Sequence, residues 1–144
     1  MDYLLDTNIC IYYFKGQFEL KEKIEKIGFQ RFAISEITLA ELIFGAEKSQ
    51  KKEQNIKVVE DFADRISIIP IFDSIRIYGR EKARLKQKGT IISDLDLFIG
   101  STAIANDMIL VTRNVKEFER MENIIIENWI DIQPMTLSDY ESLA

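Results

Sequence analysis

The chain has 144 residues, 47% of them hydrophobic and 30% charged, with a formal net charge of −5. That length closes one core of ordinary size, the charge balance excludes a disordered chain, and no apolar run is long enough to span a bilayer. With no histidine and a single cysteine, Ser-His-Asp triads, His-ligated zinc, thiolate clusters and internal disulfides are excluded.

The predicted elements alternate between strand and helix. Residues 3–5 of "YLLDTNICIYYF" form a short strand, and 9–15 a helix in which Cys10 reads as a small core residue of a reducing compartment. Residues 18–27 carry Leu20, Ile24 and Ile27 among Lys and Glu, an amphipathic helix that Gly28 stops. A strand at 32–35 leads to helices at 37–49 and 50–65, then a strand at 66–72 with Pro70 at its margin. A basic helix at 73–88 ends at Gly89. A helix at 95–106, an apolar strand at 108–111, a short helix at 116–121 and a strand at 124–126 complete the pattern. Strands apolar throughout and alternating with helices predict a three-layer α/β/α domain with a central, mostly parallel sheet. The domain is expected over residues 1–133, with 134–144 as a tail. Asp2 and Asp6 stand where a signal peptide would be basic, so the cytoplasm is the expected compartment.

In such a fold, sites lie beyond the carboxyl ends of the strands. Asp6 follows the first strand, Glu41 lies early in the helix after the second, and Asp94 and Asp96 open the helix of "SDLDLFIGSTAIAND". Thr112, Arg113, Asn114 and Glu117 follow the strand that ends at Val111. Each has a structural explanation. Asp6 and Asn114 suit helix N-caps, and Thr38-x-x-Glu41 and Ser93-x-x-Asp96 match capping boxes. Together they project from one edge, where carboxylates repel one another unless a cation lies between them. A donor set of oxygens alone points to Mg²⁺ or Mn²⁺, ions that commonly work on phosphate esters.

"LLDTNICI", "ISEITLAELIFGAEKS", "DLDLFIGSTAIA" and "LVTRNVKEFER" resemble, in order and spacing, the blocks of PIN-domain ribonucleases, above all the VapC toxins of bacterial toxin–antitoxin pairs. The resemblance runs from Met1 to Trp129. It implies a PIN-like fold and Mg²⁺- or Mn²⁺-dependent endonucleolytic cleavage of RNA, tRNA in particular, by a homodimer silenced by a VapB-type antitoxin. It implies metal ligation by Asp6, Asp96 and Glu41, with Thr112 and Asn114 positioning water or phosphate. Asn114 departs from the family's fourth acid, and Asp94 and Glu117 are nearby stand-ins. The departure leaves one metal or two open. It also leaves open an alternative, a PIN-like RNA- or protein-binding domain with weakened catalysis.

Against the acidic net charge, RNA contact would need local basic groups. Arg80, Arg84 and Lys88 fall on one helix face, Lys48, Lys51, Lys52 and Lys57 form a second group, and Arg113 adjoins the site. Tyr12, Tyr13, Phe14 and Phe18 read first as core and second as an antitoxin groove or dimer face. Two other folds fit less well. A haloacid-dehalogenase-type phosphatase needs an acid where Asn8 stands, and a receiver domain needs an acidic pair at the first strand.

Overall fold

The computed structural model describes residues 1–131. Strands β1 (Tyr3–Leu5), β2 (Phe32–Ser35), β3 (Ser67–Ile69), β4 (Ile109–Val111) and β5 (Ile125–Glu127) alternate with helices. These are α1 (Thr7–Phe14), α2 (Leu20–Ile27), α3 (Glu36–Glu47), α4 (Lys52–Arg65), α5 (Ile75–Lys88), α6 (Asp94–Ala105) and α7 (Val115–Phe118). The strands form one sheet in the order β3-β2-β1-β4-β5, and every pairing is parallel. The expected three-layer architecture is therefore present, with a sheet that is parallel throughout the described residues.

Successive strand residues feed opposite faces, the period of two that a pleated strand imposes. Leu5, Ile34 and Val111 pack on one side with Ile9, Leu42 and Phe62. Leu4, Ala33 and Leu110 pack on the other with Leu85, Leu97 and Phe118. Both faces are covered, so the strands carry no polar alternation. Gly100 of α6 is where that side closes most tightly, since a Cβ there would run into Met121, just after α7.

Several boundaries differ from the sequence reading, each for a local reason. Helix α1 starts at Thr7 because Asp6 already caps it. Helix α3 starts at Glu36 because Ser35 Oγ accepts the Thr38 amide at 3.0 Å, so Thr38 sits inside the helix and the Thr38–Glu41 capping box does not form. Helix α2 starts only at Leu20, after Phe18 and Glu19, which have φ of 59° and 55°. Strand β3 ends at Ile69, because Pro70 has no N–H for the ladder, and a 3₁₀ turn at Phe72–Ser74 leads into α5. Helix α7 ends at Phe118 rather than 121. The expectation of a tail from residue 134 lies outside the described residues.

Candidate active site

Strand β1 is central, flanked by β2 and β4, and residues leaving the carboxyl ends of these strands meet. Asp6 leaves β1 and is only 5% exposed. Its Oδ1 accepts the Thr7 amide at 2.8 Å, which caps α1, and its Oδ2 accepts the Thr112 hydroxyl at 2.7 Å. Thr112, fully buried just after β4, also accepts the Asn114 amide at 3.0 Å, and this turns the chain into α7.

Glu41 reaches the same edge from α3. Its Oε1 accepts the Thr7 hydroxyl at 2.7 Å, and Thr38 Oγ1 lies 3.1 Å from Thr7 Oγ1. Thr7 therefore ties the first acid to the second. Sequence reasoning missed it, although "DTN" places this hydroxyl directly after Asp6. Asp96 opens α6, where its amide donates to Ser93 Oγ at 3.3 Å. Asn114 does not cap α7 with its side chain. Instead its Nδ2 donates to Glu117 Oε2 at 2.9 Å, a carboxylate whose charge reaches Asp96.

The carboxylates sense one another. Burial pushes the Asp96 carboxyl up to about 6, and the charges of Asp6, Glu117 and Glu41 add to the shift against the Ser93 hydrogen bond. Burial also raises Asp6, opposed by Thr112 and the Thr7 amide and reinforced by Glu41. Among the described residues none of Asp6, Glu41, Asp96 or Glu117 forms a salt bridge to lysine or arginine. Among the described residues no three such side chains stand close enough together, as placed, to hold a metal ion. Oxygen donors without imidazole or thiolate suit a hard divalent ion such as Mg²⁺ or Mn²⁺.

Other candidates are placed elsewhere or already engaged. Asp94 faces α5, where its Oδ1 lies 2.8 Å from both Lys82 Nζ and Tyr78 Oη, so it is not brought into the cluster. Arg84 is held by Glu81, with Nε on Oε2 at 2.8 Å and Nη2 on Oε1 at 3.0 Å, and it also donates to the Arg120 carbonyl at 2.6 Å. It is a bracket between α5 and the turn after α7 rather than one of a row of phosphate contacts, because the i, i+4 pattern cannot show the acid at Glu81. Arg80 and Lys88 remain exposed on α5. Lys52 and Lys57 pair with Glu47 and Asp61. Arg113 stays beside the site, pairing with Asp131 at 3.2 Å. Tyr13 and Phe14 pack on Phe62, as the core reading expected.

The PIN domain family model matches residues 3–124. Ribonuclease VapC2 of Rickettsia felis is 44% identical over 137 residues, covering 90% of this chain and 98% of the relative. The tRNA(fMet)-specific endonuclease VapC of Salmonella typhimurium is 38% identical over 130 residues, covering 90% and 98%. The crystal structure of VapBC2 from Rickettsia felis bound to a promoter DNA fragment superposes with a TM-score of 0.82 at 43% identity, over 90% of this chain and 99% of that one. Similar in sequence and in fold along nine-tenths of its length, and with its acids on the strand edge where the blocks of resemblance fall, the chain belongs to the PIN-domain family, among the VapC ribonucleases.

Proposed function

We propose that this chain is an Mg²⁺- or Mn²⁺-dependent endoribonuclease that hydrolyses phosphodiester bonds in tRNA, working as the toxin of a toxin–antitoxin pair. The observation that carries the reading is the cluster of unneutralised carboxylates of Asp6, Glu41 and Asp96 at one strand edge, with Asp96 raised to about 6. Asp6, Asp96 and Glu41 hold the ion, which when bound polarises a phosphoryl oxygen and lowers the pKa of a water. Thr112 and Thr7 orient Asp6 and Glu41 through the hydroxyls they donate. Asn114 contributes no charge, and Glu117, which it holds at 2.9 Å, supplies the fourth acid in its place.

The tRNA substrate is supported by the Salmonella relative's name, and a VapB-type antitoxin by the VapBC complexes that share this fold. An apolar groove lined by Phe14, Leu42 and Val58 runs beside Glu41, and exposed Phe44 lies on the same helix. It suits an amphipathic antitoxin segment. Phe72, Ile75 and Leu95 are exposed on the 3₁₀ turn and in the first turns of α5 and α6, and the 3₁₀ turn packs against α6, an apolar set suited to a second copy in a homodimer. Among the described residues no helix is long and apolar enough to cross a membrane, in keeping with a cytoplasmic enzyme.

The test is incubation of the purified chain with a bacterial tRNA pool, with Mg²⁺, with Mn²⁺ or with chelator. Discrete fragments that need the metal and vanish in Asp6→Asn are the expected result. Intact tRNA under every condition, from a folded protein, would overturn the reading.

A further inference from the structure

The segment between α1 and α2 carries a ring that the core does not bury. Phe18 is 46% exposed, and both Phe18 and Glu19 hold left-handed φ values of 59° and 55°. Bulky side chains seldom adopt that region. The segment is also held in place, since the Gly16 and Gln17 amides donate to the Tyr13 and Tyr12 carbonyls at 3.1 and 3.0 Å.

The Phe18 ring stands edge-on to Tyr12, with centroids 5.0 Å apart at 78°. The Arg113 guanidinium lies 5.6 Å from the Phe18 centroid and 5.9 Å from that of Tyr12. It is fixed by Asp131 at 3.2 and 3.3 Å and by the Tyr12 hydroxyl at 3.3 Å. Arg113 sits in the chain between Thr112, which bonds Asp6, and Asn114, which bonds Glu117. The guanidinium therefore springs from the residue between two members of the site, and the exposed ring lies against it.

We propose that Phe18, Tyr12 and Arg113 form a stacking subsite for one unpaired nucleobase of the RNA, next to the bond that is cut; the proposal rests on the nuclease reading above. Asp131 and the Tyr12 hydroxyl engage donors along the edge of the Arg113 guanidinium, so it offers a planar face more than a phosphate clamp. The open groove alongside mixes Glu19 and Glu22 with Lys23 and Lys26, which does not make a track for a phosphate backbone. Phe18 is also the sole strongly exposed large apolar side chain between residues 2 and 43. One exposed ring of this kind presents a face that one base can cover. Bases stack on aromatic rings and on guanidinium planes wherever RNA is single-stranded.

The experiment uses the full chain carrying Asp96→Asn, which stops cleavage, and short single-stranded RNAs with 2-aminopurine at successive positions. Binding quenches the fluorophore at one position. Phe18→Asn, whose side chain tolerates the left-handed backbone, and Arg113→Ala each abolish that quench and weaken RNA binding roughly tenfold. Phe18→Trp retains both, and thermal unfolding of each variant confirms the fold. Quench and affinity unchanged in Phe18→Asn would overturn the subsite. So would a loss of self-association in that variant with RNA binding intact, which would assign the ring to a second copy of the chain. The nuclease reading is scored separately, on the chain without Asp96→Asn. Metal-dependent cleavage with no position-specific quench sinks the subsite alone, and quench with no cleavage sinks the nuclease reading and with it the subsite's place beside a cut bond, leaving only a base-binding site.

Discussion

Replacing Arg84 by methionine leaves the carboxylate of Glu81, fully buried, without its guanidinium. Two charge-assisted hydrogen bonds at 2.8 and 3.0 Å disappear, and only the Glu122 amide at 2.6 Å remains. Removing one partner of a buried pair costs about 3–5 kcal/mol. Because the Arg84 side chain is 20% exposed, the lower end applies, about 3 kcal/mol. With a urea slope of about 2 kcal/mol/M for a chain of this size, the midpoint falls by about 1.5 M. The fluorescence of Trp129, the sole tryptophan, is available to follow the transition.

The pH dependence carries a definite sign. Hydrogen bonds from Arg84 hold the Glu81 carboxyl below the usual carboxylate range against burial, helped by the Glu122 amide and the Arg84 and Arg80 charges. Its contribution to stability is therefore present above the unfolded value of about 4.3 and is lost as pH falls through the lower folded value. Without the guanidinium, Glu81 takes up a proton more readily, so the gap between wild type and Arg84→Met is widest near pH 7 and narrows below about pH 4. The double variant Glu81→Met/Arg84→Met recovers most of the loss. A midpoint unchanged at neutral pH, or a loss equal at both pH values, would refute the bracket.

Four further outcomes are expected. Asp6→Asn and Asp96→Asn each lower metal-dependent cleavage by roughly a hundredfold or more, whereas Asp94→Asn, tied to Lys82 and Tyr78, has a much milder effect in the same assay. Thr112→Val keeps the shape but removes a hydroxyl from a buried carboxylate, costing about 1.5–3 kcal/mol in urea unfolding, and the loosened Asp6 lowers the cleavage rate. Glu117→Gln removes the charge of the proposed fourth acid while Asn114 can still donate to it, and weakens Mn²⁺ binding in calorimetry; unchanged binding would count against that placement. Phe72→Asp, on the exposed turn before α5, yields a monomer in sedimentation if that face joins two copies.

Much of this fold was legible because the strands are apolar on both faces. Leu4 and Leu5, or Ala33 and Ile34, admit no solvent side, which demands helices above and below a parallel sheet. The acids at the strand ends were legible for a similar reason, since topology alone assigns Asp6, Glu41 and Asp96 to one edge. What stayed hidden depends on partners far apart in sequence. The Thr7 hydroxyl finds Glu41 across 34 residues, and the Thr112 hydroxyl finds Asp6 across 106. Arg84 looked like one member of a basic stripe because nothing local shows that Glu81 faces the interior. Helix starts were misjudged where a different residue took the cap. Ser35 displaced Thr38, and so left Glu41 to the Thr7 hydroxyl rather than to a capping box. The left-handed pair at Phe18 and Glu19 carries no glycine or asparagine to announce it.

The central claim is that Asp6, Glu41 and Asp96 together hold a divalent ion. Titration of the purified chain with Mn²⁺, read by the electron paramagnetic resonance of the free ion, tests it without reference to any RNA. The account predicts saturable binding that Mg²⁺ competes away and that Asp96→Asn largely removes in a protein of unchanged fold. Binding of equal strength in wild type and in Asp96→Asn, or none in either, would contradict it.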